Sequence, residues 1–153
     1  ILAKIPFLGI CYGHQLLAKS LGANVDYHPK GIELGTVDIS VSKDALNDEI
    51  FKYLPSFFDV HVVHAQSALT LPKDAVLLAS NNHEENHAFR IGQNAWGVQF
   101  HPEYDENVMK AYIREVLKDD NEKKNRLLEK VKQSNHSNEI IKLFVNVAKA
   151  TNY

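Results

Sequence analysis

The sequence predicts an α/β domain built on an open, mostly parallel sheet flanked by helices. Three observations carry this prediction. A short apolar run, Phe7-Leu8-Gly9-Ile10, bounded by Pro6, passes through a turn into apolar residues at helical spacing that stop at Gly22; a buried parallel strand feeding a helix has this pattern. Between 24 and 100, short apolar or alternating stretches recur, each bounded by turn residues, as strands are. From 105 onward, apolar residues return every three or four positions, the helical period.

In order, Phe7–Ile10 is expected as a strand and Gln15–Leu21 as a helix. Asn24–Tyr27 reads as a short strand and Ile32–Val41 follows with near-regular alternation, the two making a half-exposed strand pair. Asp44–Tyr53 is a short helix or turn ended by Pro55, and Phe57–Val63 returns to strand, closed by His64-Ala65-Gln66-Ser67. Ala75–Ser80 is an apolar strand and 81–86 a polar loop. Ala88–Ile91 and Ala95–Phe100 flank Gly92-Gln93-Asn94 as a hairpin. Asp105–Lys118 is helical, with Val108, Met109, Tyr112, Ile113, Val116 and Leu117 as its apolar stripe. Two amphipathic helices, 122–134 and 138–150, end the chain and are expected to pack on the same sheet.

At 153 residues the chain suits a single domain, 1–153. A formal net charge of -2 supplies no basic field for nucleic acid or an acidic membrane. No run approaches the ~20 apolar residues that span a bilayer. Ile1-Leu2-Ala3-Lys4 lacks the pattern of a signal peptide. One cysteine forms no internal disulfide, so a cytoplasmic location is expected.

That cysteine, Cys11, falls on the turn between strand and helix. Gly9 and Gly13 flank it at the spacing of a G-x-nucleophile-x-G elbow, where small neighbours let the backbone turn sharply and project the nucleophile. Unpaired N–H groups at a helix start favour an anion there, and that of Tyr12 is placed to hold an oxyanion. The competing reading is a buried structural cysteine. His101-Pro102-Glu103 follows the second hairpin strand, at the strand end where open α/β sheets build their sites. On an extended backbone, residues two apart share a side, so Glu103 can orient His101 while His101 takes a thiol proton. Here the competing reading is a loop histidine beside a surface glutamate.

The other histidines offer less. His83-Glu84-Glu85-Asn86-His87 matches H-E-x-x-H, but a zinc site of that kind needs a helix and this segment links two strands. No metal or other cofactor is expected. His61 and His64, three apart on a strand, point to opposite faces. His14, His28 and His136 are expected on the surface or on a helix face.

Phe7-Leu8-Gly9-Ile10-Cys11-Tyr12-Gly13-His14-Gln15 resembles the nucleophile motif of class I (triad) glutamine amidotransferases, and Gly97-Val98-Gln99-Phe100-His101-Pro102-Glu103 resembles their second motif. His64-Ala65-Gln66-Ser67, the hairpin and 104–113 are most similar to the stand-alone, GMP synthase-like subgroup. The resemblance implies a flavodoxin-like sheet and hydrolysis of L-glutamine through a γ-glutamyl thioester. In it Cys11 is nucleophile, His101 base then acid, and Glu103 orienter; Tyr12 N–H is an oxyanion donor, and Gln15, Gln66 and Ser67 are substrate-binding. It also implies an ammonia-accepting synthetase or acceptor substrate as partner. A γ-glutamyl peptide hydrolase of related fold is the alternative enzyme, and a non-catalytic binding or regulatory module the alternative from another class.

One departure accompanies the resemblance. Family members carry βα units upstream of the nucleophile strand, including a Gly-rich loop with a second oxyanion donor, whereas this chain starts ten residues before Cys11. At least one unit of ~30 residues is expected to be missing. Losing one oxyanion donor costs about 10²–10³ in rate, so the 153-residue chain by itself is expected to be weakly active or inactive.

Overall fold

A computed structural model describes residues 5–151; Ile1-Leu2-Ala3-Lys4 lies outside the described residues. The elements run β1 (Phe7–Ile10), α1 (Tyr12–Ser20), β2 (Val25–Tyr27), β3 (Glu33–Val41), 3-10 turns at Lys43–Asn47 and Phe51–Tyr53, β4 (Phe57–His64), β5 (Gln66–Ala68), β6 (Val76–Ser80), β7 (Ala88–Ile91), β8 (Ala95–Val98), α2 (Glu106–Val116), α3 (Asn121–Glu129) and α4 (Asn135–Ala150).

Six strands form one sheet in the order β1-β8-β7-β6-β3-β4, and β2 pairs with β5 in a separate ribbon. The sheet is mixed. Only β1 and β8 run parallel among the described strands, with Gly9 opposite Gly97 and Ile10 opposite Val98; the remaining pairs are antiparallel. This corrects the expected mostly parallel sheet, and the cause is the connections: β7 and β8 are joined by a tight turn, and short links of that kind only permit antiparallel neighbours. The expected pairing of 24–27 with 32–41 is corrected as well, since β2 pairs with β5, Val25 opposite Ala68 and Tyr27 opposite Gln66. β3 pairs with β4 along its whole length and with β6 at its end.

Side-chain alternation then sorts the core by face. Ile39, Val60, Val62, Trp96 and Val98 point to one face and pack under α4 through Ile140, Leu143, Phe144 and Val147. On the other face, Leu17 and Ala18 of α1 cover Phe89 and Ala95, while Met109, Ile113 and Leu117 of α2, with Leu127 and Leu128 of α3, cover Leu34 and Val63. The two C-terminal helices therefore pack on opposite faces. Of the expected α2 stripe, Met109, Ile113 and Leu117 are buried, while Val108, Tyr112 and Val116 keep about two-fifths of their surface exposed. Helix starts follow their caps: Asp105 and Asp120 accept from the Val108 and Lys123 amides.

Asp48 organises the turn beneath the sheet. Its buried carboxylate accepts from the Ile50 and Phe51 amides at 2.9 Å each, from Arg90 Nε at 2.8 Å and from Trp96 Nε1 at 3.0 Å. These bonds join 48–51 to the β7–β8 hairpin.

Candidate active site

Parallel pairing of β1 with β8 sets two strand ends side by side, and the two sequence motifs continue from those ends. The Cys11 amide donates to the Val98 carbonyl at 2.8 Å, extending the ladder by one residue, and α1 begins at once with Tyr12. Cys11 has φ +49°, an uncommon region for a residue with a Cβ. A turn this sharp requires close approach of strand and helix: a Cβ on Gly9 would lie 2.5 Å from the Gly13 carbonyl oxygen. Gly13 differs, because a Cβ there would meet open space. The strain sits on the cysteine, and Gly9 is the neighbour that permits it. Cys11 is the N-cap of α1 and its side chain caps no amide of the first turn, which begins with Tyr12.

His101 follows β8 by three residues and is pinned on several sides. Its amide donates to the His61 carbonyl at 2.9 Å, and Asn138 of α4 donates to the Pro102 carbonyl at 2.5 Å and the Tyr104 carbonyl at 3.3 Å. His101 Nδ1 meets Glu103 Oε1 at 2.6 Å, but across a turn closed by the Tyr104 amide on the His101 carbonyl at 3.2 Å and not along the extended backbone expected. The Tyr104 ring stacks on the imidazole, and Tyr112 stacks on Tyr104. Burial works against a charged ring here, but the hydrogen-bonded Cys11 side chain and then Glu103 outweigh it, and the His101 pKa is pushed up to about 9. His101 thus holds its proton at neutral pH beside the sulfur. Cys11, ninety residues before His101 in sequence, forms one contiguous group with His101 and Glu103.

Beside Cys11 lies an open depression of about 360 Å³, lined by Cys11, Tyr12, Gln15, Tyr27, Val63, His64, Ala65 and Gln66. Gln15 is buried, and its Nε2 donates to the Gln66 carbonyl at 2.7 Å and to Gln99 Oε1 at 3.0 Å. Gln66 is exposed at the rim. Ser67 is fully buried, its hydroxyl 3.3 Å from His64 Nδ1, and does not line the depression.

The class I glutamine amidotransferase profile, "Glutamine amidotransferase class-I", matches residues 1–119. The chain belongs to this family. Among curated relatives, gamma-glutamyl peptidase 3 of Arabidopsis thaliana is 31% identical over 119 residues, covering 74% of this chain and 47% of the peptidase. A glutamine-hydrolysing GMP synthase of Aeropyrum pernix is 38% identical over 112 residues, covering 73% of this chain and 20% of the synthase. A crystal structure of a glutamine amidotransferase from Thermotoga maritima superposes with a TM-score of 0.78 at 30% identity, covering 97% of this chain and 64% of that one. The chain thus spans less than half the length of these curated relatives. Its fold is that of the class I amidotransferases.

Within this amidotransferase domain, several residues that carry the site's geometry had no role in the sequence reading. Gln99 touches both Cys11 and Gln15; an amide inside the otherwise apolar Trp96–Phe100 run was the available signal. Glu33 sits behind the depression, its buried carboxylate 2.8 Å from His64 Nε2, 3.1 Å from His87 Nε2 and 2.7 Å from Asn81 Nδ2. Burial pushes this carboxyl up, but its hydrogen bond to His64 and the close approach of His87 outweigh that and hold it well below the usual carboxylate range.

The other histidines fall as follows. His83–His87 is a loop whose two imidazoles face different partners, His83 the Gly31 carbonyl and His87 Glu33. No group of three or more His, Cys, Asp or Glu among the described residues is arranged to hold a metal ion. His14 corrects the sequence reading, for it is fully buried: its ring meets the edge of Phe89, and Nε2 donates to the Asn86 carbonyl at 2.8 Å. It lies on the sheet-facing side of α1, where burial lowers its pKa to about 3. No helix among the described residues is long and apolar enough to cross a membrane.

Proposed function

We propose that this domain hydrolyses the side-chain amide of L-glutamine to glutamate and ammonia through a γ-glutamyl thioester on Cys11. The observation that carries the reading is the contact of His101 with a cysteine on a positive-φ elbow while Glu103 holds the opposite ring nitrogen at 2.6 Å. An imidazolium beside the sulfur favours the thiolate, which attacks the carboxamide carbon. The Tyr12 N–H donates to the oxyanion of the tetrahedral intermediate. Collapse breaks the C–N bond, and His101 gives its proton to the departing nitrogen, leaving ammonia and the thioester. His101, now neutral, takes a proton from water as the water oxygen attacks the thioester carbon, and glutamate leaves Cys11. Glutamine carries charges of both signs at its far end, so polar groups around the depression, Gln15 and Gln66 with Ser67 behind them, serve its recognition. Ammonia then passes to an acceptor-activating domain or partner.

A second reading keeps the thioester and changes the leaving group to the amine of a γ-glutamyl peptide. It is supported by the likeness to gamma-glutamyl peptidases of Arabidopsis thaliana.

The test is glutamate release from glutamine and from a γ-glutamyl dipeptide by the natural polypeptide that carries this chain, beside its Cys11→Ala variant. Release from glutamine that Cys11→Ala abolishes supports the amidase; faster release from the dipeptide supports the peptidase. Turnover that survives Cys11→Ala, or none from either substrate, would overturn both.

A further inference from the structure

Gln99 follows β8 by one residue and is fully buried between the nucleophile and the substrate-facing amide of α1. Its Nε2 donates to Cys11 Sγ at 3.5 Å, and its Oε1 accepts from Gln15 Nε2 at 3.0 Å. Gln15 Nε2 also donates to the Gln66 carbonyl at 2.7 Å. The two amides can be oriented in only one way. A primary amide has two N–H donors on nitrogen and an acceptor-only oxygen. Gln15 places both hydrogens on oxygen acceptors, so Gln99 must present its oxygen to Gln15 and its nitrogen to the sulfur. Turned about, Gln99 would set nitrogen against nitrogen and oxygen against sulfur. The backbone fixes the residue as well, since the Gln99 amide donates to the His87 carbonyl at 2.8 Å.

We propose that Gln99 is a catalytic residue of this site, donating a side-chain N–H to the Cys11 sulfur and coupling the nucleophile to the glutamine-recognising Gln15. The proposal rests on the thioester chemistry above and adds a group to it. A hydrogen bond to an ionised acceptor is about twice as strong as one to a neutral acceptor. The Gln99 bond therefore acts when the sulfur carries charge: before it attacks the carboxamide carbon, and as it is expelled when water cleaves the thioester. His101 faces the same sulfur as a proton carrier; Gln99 supplies a donor that keeps its protons throughout. The chain of bonds from the Gln66 carbonyl through Gln15 and Gln99 to Cys11 has a further consequence. It commits both hydrogens of Gln15 and leaves Gln15 Oε1 for a donor on the substrate, which selects an ammonium or amide N–H over a carboxylate.

The experiment compares wild type, Gln99→Met and Gln15→Met in the natural polypeptide. It reads Cys11 alkylation by iodoacetamide at fixed pH, resolved to the Cys11 peptide by mass spectrometry, with kcat and KM for glutamine. Gln99→Met is expected to slow alkylation about tenfold, the size of a lost hydrogen bond to a charged group, and to lower kcat. Gln15→Met is expected to raise KM and to slow alkylation by less than Gln99→Met, since it frees Gln99 from one partner but removes no donor from the sulfur. Should Gln99→Met fail to fold, Gln99→Asn, polar but too short to bridge both partners, is expected to give the same slowing. Alkylation unchanged in a folded Gln99 variant would overturn the proposal, as would slowing of equal size in Gln15→Met. Alkylation needs no glutamine, so this arm reads Gln99 even where the wild type proves not to hydrolyse glutamine.

Discussion

The Tyr104 ring lies flat on the His101 imidazole, with centroids 4.0 Å apart and planes 11° from parallel. Glu103 fixes the ring from its edge and Tyr104 from its face, so the imidazole has little freedom to swing away from Cys11. Stacking of this kind is worth about 0.5–1.5 kcal/mol. Tyr104→Ala should therefore lower kcat for glutamine hydrolysis by about 2- to 10-fold with KM little changed, while Tyr104→Phe keeps the stack and the rate. Steady-state kinetics of the two variants check this, and equal losses in both would assign the effect to the hydroxyl.

The raised His101 pKa is expected to set the alkaline limit of activity. In the proposed cycle His101 must give a proton to the leaving nitrogen, so kcat/KM should fall as pH rises through about 9. Glu103→Gln removes one of the two groups that raise the pKa and should move that limb to lower pH. The same shift bears on stability. A histidine whose pKa is raised in the fold stabilises it fully below the unfolded value of about 6.5, and this is lost as pH rises through the folded value. A pH–rate profile whose alkaline limb is the same in Glu103→Gln and wild type would refute the assignment.

His14 carries the opposite sign. Buried, with its pKa lowered to about 3, it stays neutral in the fold while the unfolded chain takes up a proton below about 6.5. Its contribution is complete above that pH and is lost progressively as pH falls toward 3. Replacing it by a neutral donor, His14→Gln, should flatten the decline of urea midpoints between those limits. A wild-type midpoint that is level across this range would count against it.

The two glycines flanking Cys11 should respond differently. Gly9→Ala forces a Cβ onto the Gly13 carbonyl and should cost about 1–3 kcal/mol. Gly13→Ala fills open space in a helix and should be neutral or stabilising by up to about 1 kcal/mol. Thermal melts of both variants decide this, and similar losses would show that the elbow needs both glycines.

Local pattern carried much of this into the sequence. The strand–turn–helix around Cys11, the 88–98 hairpin and the helices beyond 105 all follow from apolar period and turn chemistry, and the motifs named Cys11, His101 and Glu103 before any geometry. Pairing was harder to read, because strand direction depends on which strands meet. Asn24–Tyr27 and 32–41, neighbours in sequence, looked like partners, yet β2 pairs with β5 and β3 with β4. Buried polar partners were hidden for the same reason. Nothing near Glu33 in sequence announces His64, His87 and Asn81, and His14 shares its helix with residues that do face solvent. Gln99 was visible as a letter in a motif, but its role needed the distance to Cys11.

Four consecutive residues beyond Gly97 each do a different job. The Val98 carbonyl anchors the Cys11 amide, the Gln99 amide reaches the sulfur, Phe100 fills the core, and His101 faces the thiol. They hold station because β8 is in register with β1. The length of this segment is therefore a functional property as much as its letters are. A codon inserted or deleted directly after Gly97 would shift anchor, donor, plug and imidazole together by one residue. Conservative substitution should be survivable here, one position at a time; a frame of one residue should not.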